Sequence, residues 1–116
     1  MLKSVTLIKR KPGISREEFI KHYEEIHVPL ALKHFSFKKY VRNHIIPSGI
    51  EEPEFDCITE IWFDNMAEYH AGISFWESEN GHQLRQDEHD FMDRSKTVYF
   101  LVRENVTVPT VNNING

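Results

Sequence analysis

Apolar positions recur along this chain with two periods, and each change of period marks an element. Between Met1 and Lys11, Val5 and Leu7 alternate with Ser4, Thr6 and Ile8, which predicts a strand stopped by Pro12-Gly13. Ser15 with Glu18 makes a capping box and opens a helix. At about 100° per residue, Phe19, Ile20, Tyr23, Ile26, Leu30 and Ala31 fall on one apolar arc with His27 in its middle, so the imidazole points inward. Pro29 cannot donate to the helix ladder and crowds the carbonyl of Glu25. A kink or end is therefore expected near His27 and Val28, then one further turn to Lys33 or His34.

Phe37 to Ile46 reads as a second strand, closed by Pro47-Ser48-Gly49 and followed by the acidic loop Glu51 to Glu54. Phe55 to Phe63 is a third strand with neither face cleanly polar, so both faces are covered. Asn65 and Glu68 repeat the capping-box spacing and open a second helix, which Gly72, Ser74 and Asn80-Gly81 interrupt. A helical stretch from about His82 carries Leu84, Phe91 and Met92, and Thr97 to Glu104 is the last strand. The order β-α-β-β-α-β predicts an α+β, ferredoxin-like domain over residues 1–105 with a four-stranded antiparallel sheet. Ile58 and Trp62 leave the helix-free sheet face too apolar for water, which predicts a homodimer closed sheet against sheet into a barrel. The tail, residues 106–116, is expected to be disordered or to pack on the partner subunit.

Composition narrows the classes. Hydrophobic content of 40% and charged content of 28% suit one soluble globular domain. A net charge of −4 with scattered basic residues argues against nucleic acid. No apolar run is long enough for a membrane span and no signal peptide is evident, so the expected compartment is the cytoplasm. Cys57, the single cysteine, excludes an intrachain disulfide and a cysteine metal framework. Aromatic content of 12% points to a ring-shaped ligand or an apolar partner surface.

Seven histidines invite a metal reading that their spacing opposes. His22 and His27 stand about 140° apart on an α-helix, and His82 and His89 are two turns apart on one face, so no metal site is expected. Glu24 is placed to hydrogen-bond His27, and Asp93 to orient His89. Glu60, between Ile58 and Trp62, is the carboxylate expected to be buried with a raised pKa. Tyr40, Arg42 and His44 share one strand face, on which Arg42 is expected to be exposed. No phosphate loop, Walker motif or nucleophile elbow is present.

Three segments together resemble the EthD family of the dimeric α/β-barrel superfamily. These are Lys11-Pro12-Gly13 with Phe19 and His27-Val28-Pro29-Leu30, then Phe55 to Phe63, then Asp87 to Asp93. The resemblance implies a small, cofactor-independent lyase or isomerase that moves protons on a cyclic or aromatic, polyketide- or lactone-like substrate. It implies His27 and Tyr40 as catalytic residues. Beside them Trp62, Trp76 and Phe91 are candidate walls of a substrate pocket, and Glu60 and His89 candidate substrate contacts, read from their own placement in the sequence. A non-catalytic ligand-binding or accessory protein of an oxygenase system, and a cofactorless monooxygenase, are the alternatives.

Overall fold

Strands β1 (Leu2–Ile8), β2 (Lys39–His44), β3 (Cys57–Phe63) and β4 (Val98–Arg103) pair antiparallel in the order β2-β3-β1-β4. The computed structural model describes residues 1–49 and 51–109, so most of the expected tail lies outside the described residues. Ser4, Thr6 and Ile8 stand opposite Ile61, Thr59 and Cys57, beside Tyr40, Arg42 and His44 of β2. Side chains alternate across a strand, so this set shares one face, which takes the helices. The opposite face carries Val5, Leu7, Ile58, Trp62, Phe100 and Val102, with Lys3 and Glu60 set among them. β1 stops at Ile8, short of the expected Lys11. Beyond it Arg10 bridges to Met92, and Lys11 N–H donates to the Phe91 carbonyl at 2.9 Å.

Helix α1 (Arg16–His22) begins with the predicted reciprocal box: Ser15 Oγ accepts from Glu18 N–H at 3.1 Å and Glu18 Oε1 from Ser15 N–H at 2.8 Å. It passes through a π-turn (Tyr23–His27), closed by Val28 N–H on the Tyr23 carbonyl, into α2 (Val28–His34). Pro29 therefore does not end the helix. The wider i to i+5 turn rearranges the ladder just before the residue that cannot donate to it, and α2 starts with Pro29 in its first turn.

The extra residue also changes which side chains face inward. Phe19, Tyr23, His27 and Ala31 are buried at a spacing of four. In a regular helix that stripe drifts by about 40° per step. The π-turn takes up the drift, and Ile26, expected on the apolar arc, is 52% exposed.

Helix α3 (Met66–Glu77) runs unbroken through Gly72 and Ser74, contrary to expectation. A helix-interior glycine costs only about 1 kcal/mol against alanine, and Gly72 lies beside the Phe63 ring. Asn65 accepts from Glu68 N–H at 2.8 Å, but the Glu68 carboxylate accepts from Asp64 N–H, so only half of the second box forms. The break falls at the 3-10 turn Glu79–Gly81, before α4 (His82–Phe91). A Cβ at Gly81 would collide with the backbone carbonyls of Phe75 and Trp76, so this crossing requires glycine. Ile8, Phe19, Tyr23, Cys57, Phe91 and Met92 form the core where α1, α4 and the sheet meet.

Candidate active site

Between the helices and the sheet lies a cavity of about 690 Å³. Its floor is Ser4, Thr6, Thr59 and Ile61, and aromatic side chains including Phe35, Phe37, Tyr69, Phe75 and Trp76 form much of its wall. His27, Tyr23, Tyr40 and Glu88 bring polar groups to it. Such a site, mostly apolar with a few convergent polar groups, is suited to a flat organic ligand.

The π-turn and α4 hold the imidazole. His27 Nδ1 lies 2.8 Å from Asp87 Oδ2, and His22 Nε2 lies 2.9 Å from Asp87 Oδ1. An ionised carboxylate can only accept, so Asp87 fixes the proton of neutral His27 on Nδ1 and leaves the Nε2 lone pair for a ligand. His22 and His27, 140° apart on a regular helix, reach one carboxylate because the π-turn lies between them. Phe91 stacks on His22 at 4.7 Å and packs against His27 at 5.2 Å, so apolar contact limits both rings.

A second chain of groups crosses the helix–sheet interface. Tyr40 OH donates to Tyr23 OH at 3.1 Å, and Tyr23 OH lies 2.6 Å from Thr59 Oγ1. Burial pushes the Tyr40 phenol up to about 12 and holds the Tyr23 phenol well above its ordinary value. Both stay protonated, which suits them to donate hydrogen bonds. Burial likewise pushes the Cys57 thiol up to about 11, the wrong direction for a thiolate nucleophile. Glu88, one residue after the carboxylate that holds His27, accepts from Trp76 Nε1 at 2.8 Å. Its burial raises the carboxyl above the ordinary range. Among the described residues, no cluster of three or more His, Cys, Asp or Glu is arranged to hold a metal ion.

The EthD domain model matches residues 11–95. The chain belongs to the EthD family. Similar solved structures include an EthD family protein of Bacillus halodurans c-125 (18% identity, 90% of this chain and 100% of that one, TM-score 0.67). HapK of Hahella chejuensis is similar at 12% identity over 97% of this chain and 100% of its own, TM-score 0.62. A dimeric, ferredoxin-like protein of unknown function from Bacteroides fragilis NCTC 9343 is similar at 10% identity over 89% and 95%, TM-score 0.60. At these identities the likeness shows the ferredoxin-like fold. No curated protein matches the chain.

Within this EthD domain the residues singled out from sequence separate into two groups. His27, Tyr40 and Trp76 all line the cavity. Glu60 does not: it lies on the helix-free face, where Lys3 at 2.6 Å and Asn43 at 3.0 Å pair its oxygens. The Lys3 ammonium lowers its pKa, opposite to the expected rise. Trp62 borders the cavity, but its indole lies under Lys3 and Lys39, with Nε1 donating to Glu104 at 2.8 Å. Phe91 is fully enclosed behind the histidines, and His89 is exposed on the outer side of α4, without the expected bond to Asp93, which accepts from Ser95.

Glu24 pairs with Arg42 and His44, at 2.7 Å each, instead of His27. Arg42 is consequently half-buried on the helix side rather than exposed. Asp87, Glu88, Tyr23 and Thr59 escaped sequence reasoning. The adjacent carboxylates of Asp87-Glu88, on a helix otherwise showing Leu84 and Phe91 inward, were the available signal.

Proposed function

We propose that this EthD protein is a cofactor-independent enzyme that moves a proton on a cyclic or aromatic substrate held in the cavity. His27 acts as the base through Nε2, Asp87 holds its tautomer, and Tyr40 turns its hydroxyl from Tyr23 toward the oxygen that gains negative charge. The observation that carries the reading is the His27–Asp87 pair at 2.8 Å opening onto an aromatic cavity that also contains Tyr40. Abstraction of a proton next to a carbonyl is the first step of isomerisations and of eliminations alike, so the enzyme is read as a lyase or isomerase.

β-Tetralone, a benzo-fused cyclic ketone whose C1–H is both benzylic and α to the carbonyl, is a direct probe. Its exchange for deuterium in heavy water, followed by proton NMR, is expected to be accelerated by the protein and slowed roughly 10²–10⁴-fold by His27→Gln in a folded variant. Binding of the ketone with exchange no faster than in buffer would identify a ligand-binding protein instead.

The functional unit is read as a homodimer in the cytoplasm. The apolar helix-free face, with Phe100 49% exposed, and the dimeric state of the Bacteroides fragilis neighbour support the first part, and the unpaired Cys57 supports the second. Sedimentation at micromolar concentration is expected to show a dimer that Phe100→Glu dissociates; a monomeric parent rules this assembly out.

A further inference from the structure

Glu88 is a carboxylic acid without an evident structural reason to be one. It lines the cavity that His27 lines, and its side chain is 16% exposed. One oxygen, Oε2, accepts from the Trp76 indole at 2.8 Å. The other, Oε1, accepts no hydrogen bond among the described residues, since the nearest cation, Arg94 Nη1, stands off at 3.6 Å. A residue needed only to hold Trp76 would serve as well as an amide, and an ion-pair partner would be expected in hydrogen-bond contact with its arginine.

Position on α4 explains how the two carboxylates divide. Asp87 and Glu88 are about 100° apart around the helix, so Asp87 meets the π-turn while Glu88 faces the cavity. Asp87 is bonded to two imidazoles and is an acceptor with both oxygens engaged. Glu88 lines the cavity with an oxygen that accepts no hydrogen bond and has only the ion-pair contact with Arg94, another lining residue, at 3.6 Å.

We propose that Glu88 is the catalytic acid of this cavity, giving its proton to the substrate oxygen as His27 takes a proton from carbon. Its burial raises the carboxyl above its ordinary value against the lowering pull of Trp76, His27 and Arg94, which favours the protonated form. On an enolisable ketone, His27 Nε2 takes the α-proton and the C–H pair becomes the C=C bond. The carbonyl π pair moves to oxygen, which receives the Glu88 proton. The enol forms with His27 as imidazolium and Glu88 as carboxylate, and the reverse step restores ketone, neutral His27 and protonated Glu88. No other reactant is required. The inference rests on the reading of His27 as base.

Two measurements on Glu88→Gln, which keeps an acceptor for Trp76, test it. Infrared spectra over a pH series are expected to show a carboxyl C=O band that persists above the ordinary glutamate range in the parent and is missing in the variant; identical spectra overturn the proposal. Exchange of β-tetralone is expected to fall roughly 10²–10³-fold with little change in KM. Parental exchange in Glu88→Gln, together with loss in His27→Gln, removes Glu88 from the chemistry and leaves the base in place. A parent that exchanges no faster than buffer removes both. If Glu88→Gln does not fold, Glu88→Asp decides: the shorter acid should exchange more than about 10-fold slower, and an unchanged rate overturns the proposal.

Discussion

Asp87 Oδ2 lies 2.8 Å from His27 Nδ1 across 60 positions of sequence, and this contact fastens α4 to the π-turn. The second oxygen holds His22, so one buried carboxylate satisfies two imidazoles. Asp87→Ala leaves the enclosed His27 N–H without a partner while His22 retains access to water. The expected loss is about 1–3 kcal/mol of stability, measured by urea denaturation. A variant that unfolds with the parent would show that the contact does not bind the two elements.

Tyr23 sits between Tyr40 and Thr59, accepting from one and bonded to the other. Tyr23→Phe therefore breaks two hydrogen bonds in the interior and is expected to cost about 1–3 kcal/mol. Tyr40→Phe breaks one, nearer the cavity, and is expected to cost about 1 kcal/mol or less while slowing β-tetralone exchange. A double-mutant cycle by thermal unfolding checks the coupling, and strict additivity would mean that the two hydroxyls act independently.

Acid should weaken the attachment of β2 to the π-turn. The Arg42 guanidinium, aided by His44, holds the Glu24 carboxyl down from its ordinary 4.5 to about 2. A depressed folded-state pKa stabilises the protein above the unfolded value and ceases to do so as pH falls through the folded one. Comparing the urea midpoints of the parent and Glu24→Gln, the gap is expected to be full above about pH 5 and to close by about pH 2. A gap independent of pH across that window would contradict the assigned ion pair.

At Gly81 a methyl group meets the backbone carbonyls of Phe75 and Trp76, which cannot swing aside as a flexible side chain would. Gly81→Ala is expected to destabilise the protein by about 1–3 kcal/mol. Because Trp76 must shift, its fluorescence should also change. Parental stability would show that the α3–α4 crossing is looser than described.

Local chemistry made most of the fold legible. Pro12-Gly13 after an alternating segment, Ser15 with Glu18, and the mixed strand Phe55 to Phe63 each announced a boundary or an element, and the β-α-β-β-α-β order follows from them. Two kinds of information were hidden. Helix phase is one: no residue between Tyr23 and His27 is a recognised π-turn signal, and a regular count of about 100° per residue turns Ile26 inward and sets Glu24 beside His27. Long-range pairing was the other. Asp87 and Glu88 look like ordinary helix carboxylates until α4 is laid against the π-turn. Glu60 misled because alternation places it among apolar neighbours without showing that Lys3 stands beside it across the sheet.

The π-turn carries one residue more than the same length of α-helix requires, which gives the Tyr23–His27 segment a particular tolerance to deletion. Removing Glu25 or Ile26 lets the helix close with ordinary hydrogen bonds, so the protein should still fold, with its circular dichroism preserved. His22 and the imidazole after it would then stand four residues apart, about 40° on a regular α-helix instead of about 140°, so the inward stripe keeps its face. Both imidazoles should still reach Asp87, which a crystal structure of the deletion variant checks. The spare residue is thus held where the helix can give it up, and a shortening at this one place, unlike one elsewhere in the helix, is expected to leave the His22–Asp87–His27 contacts in register.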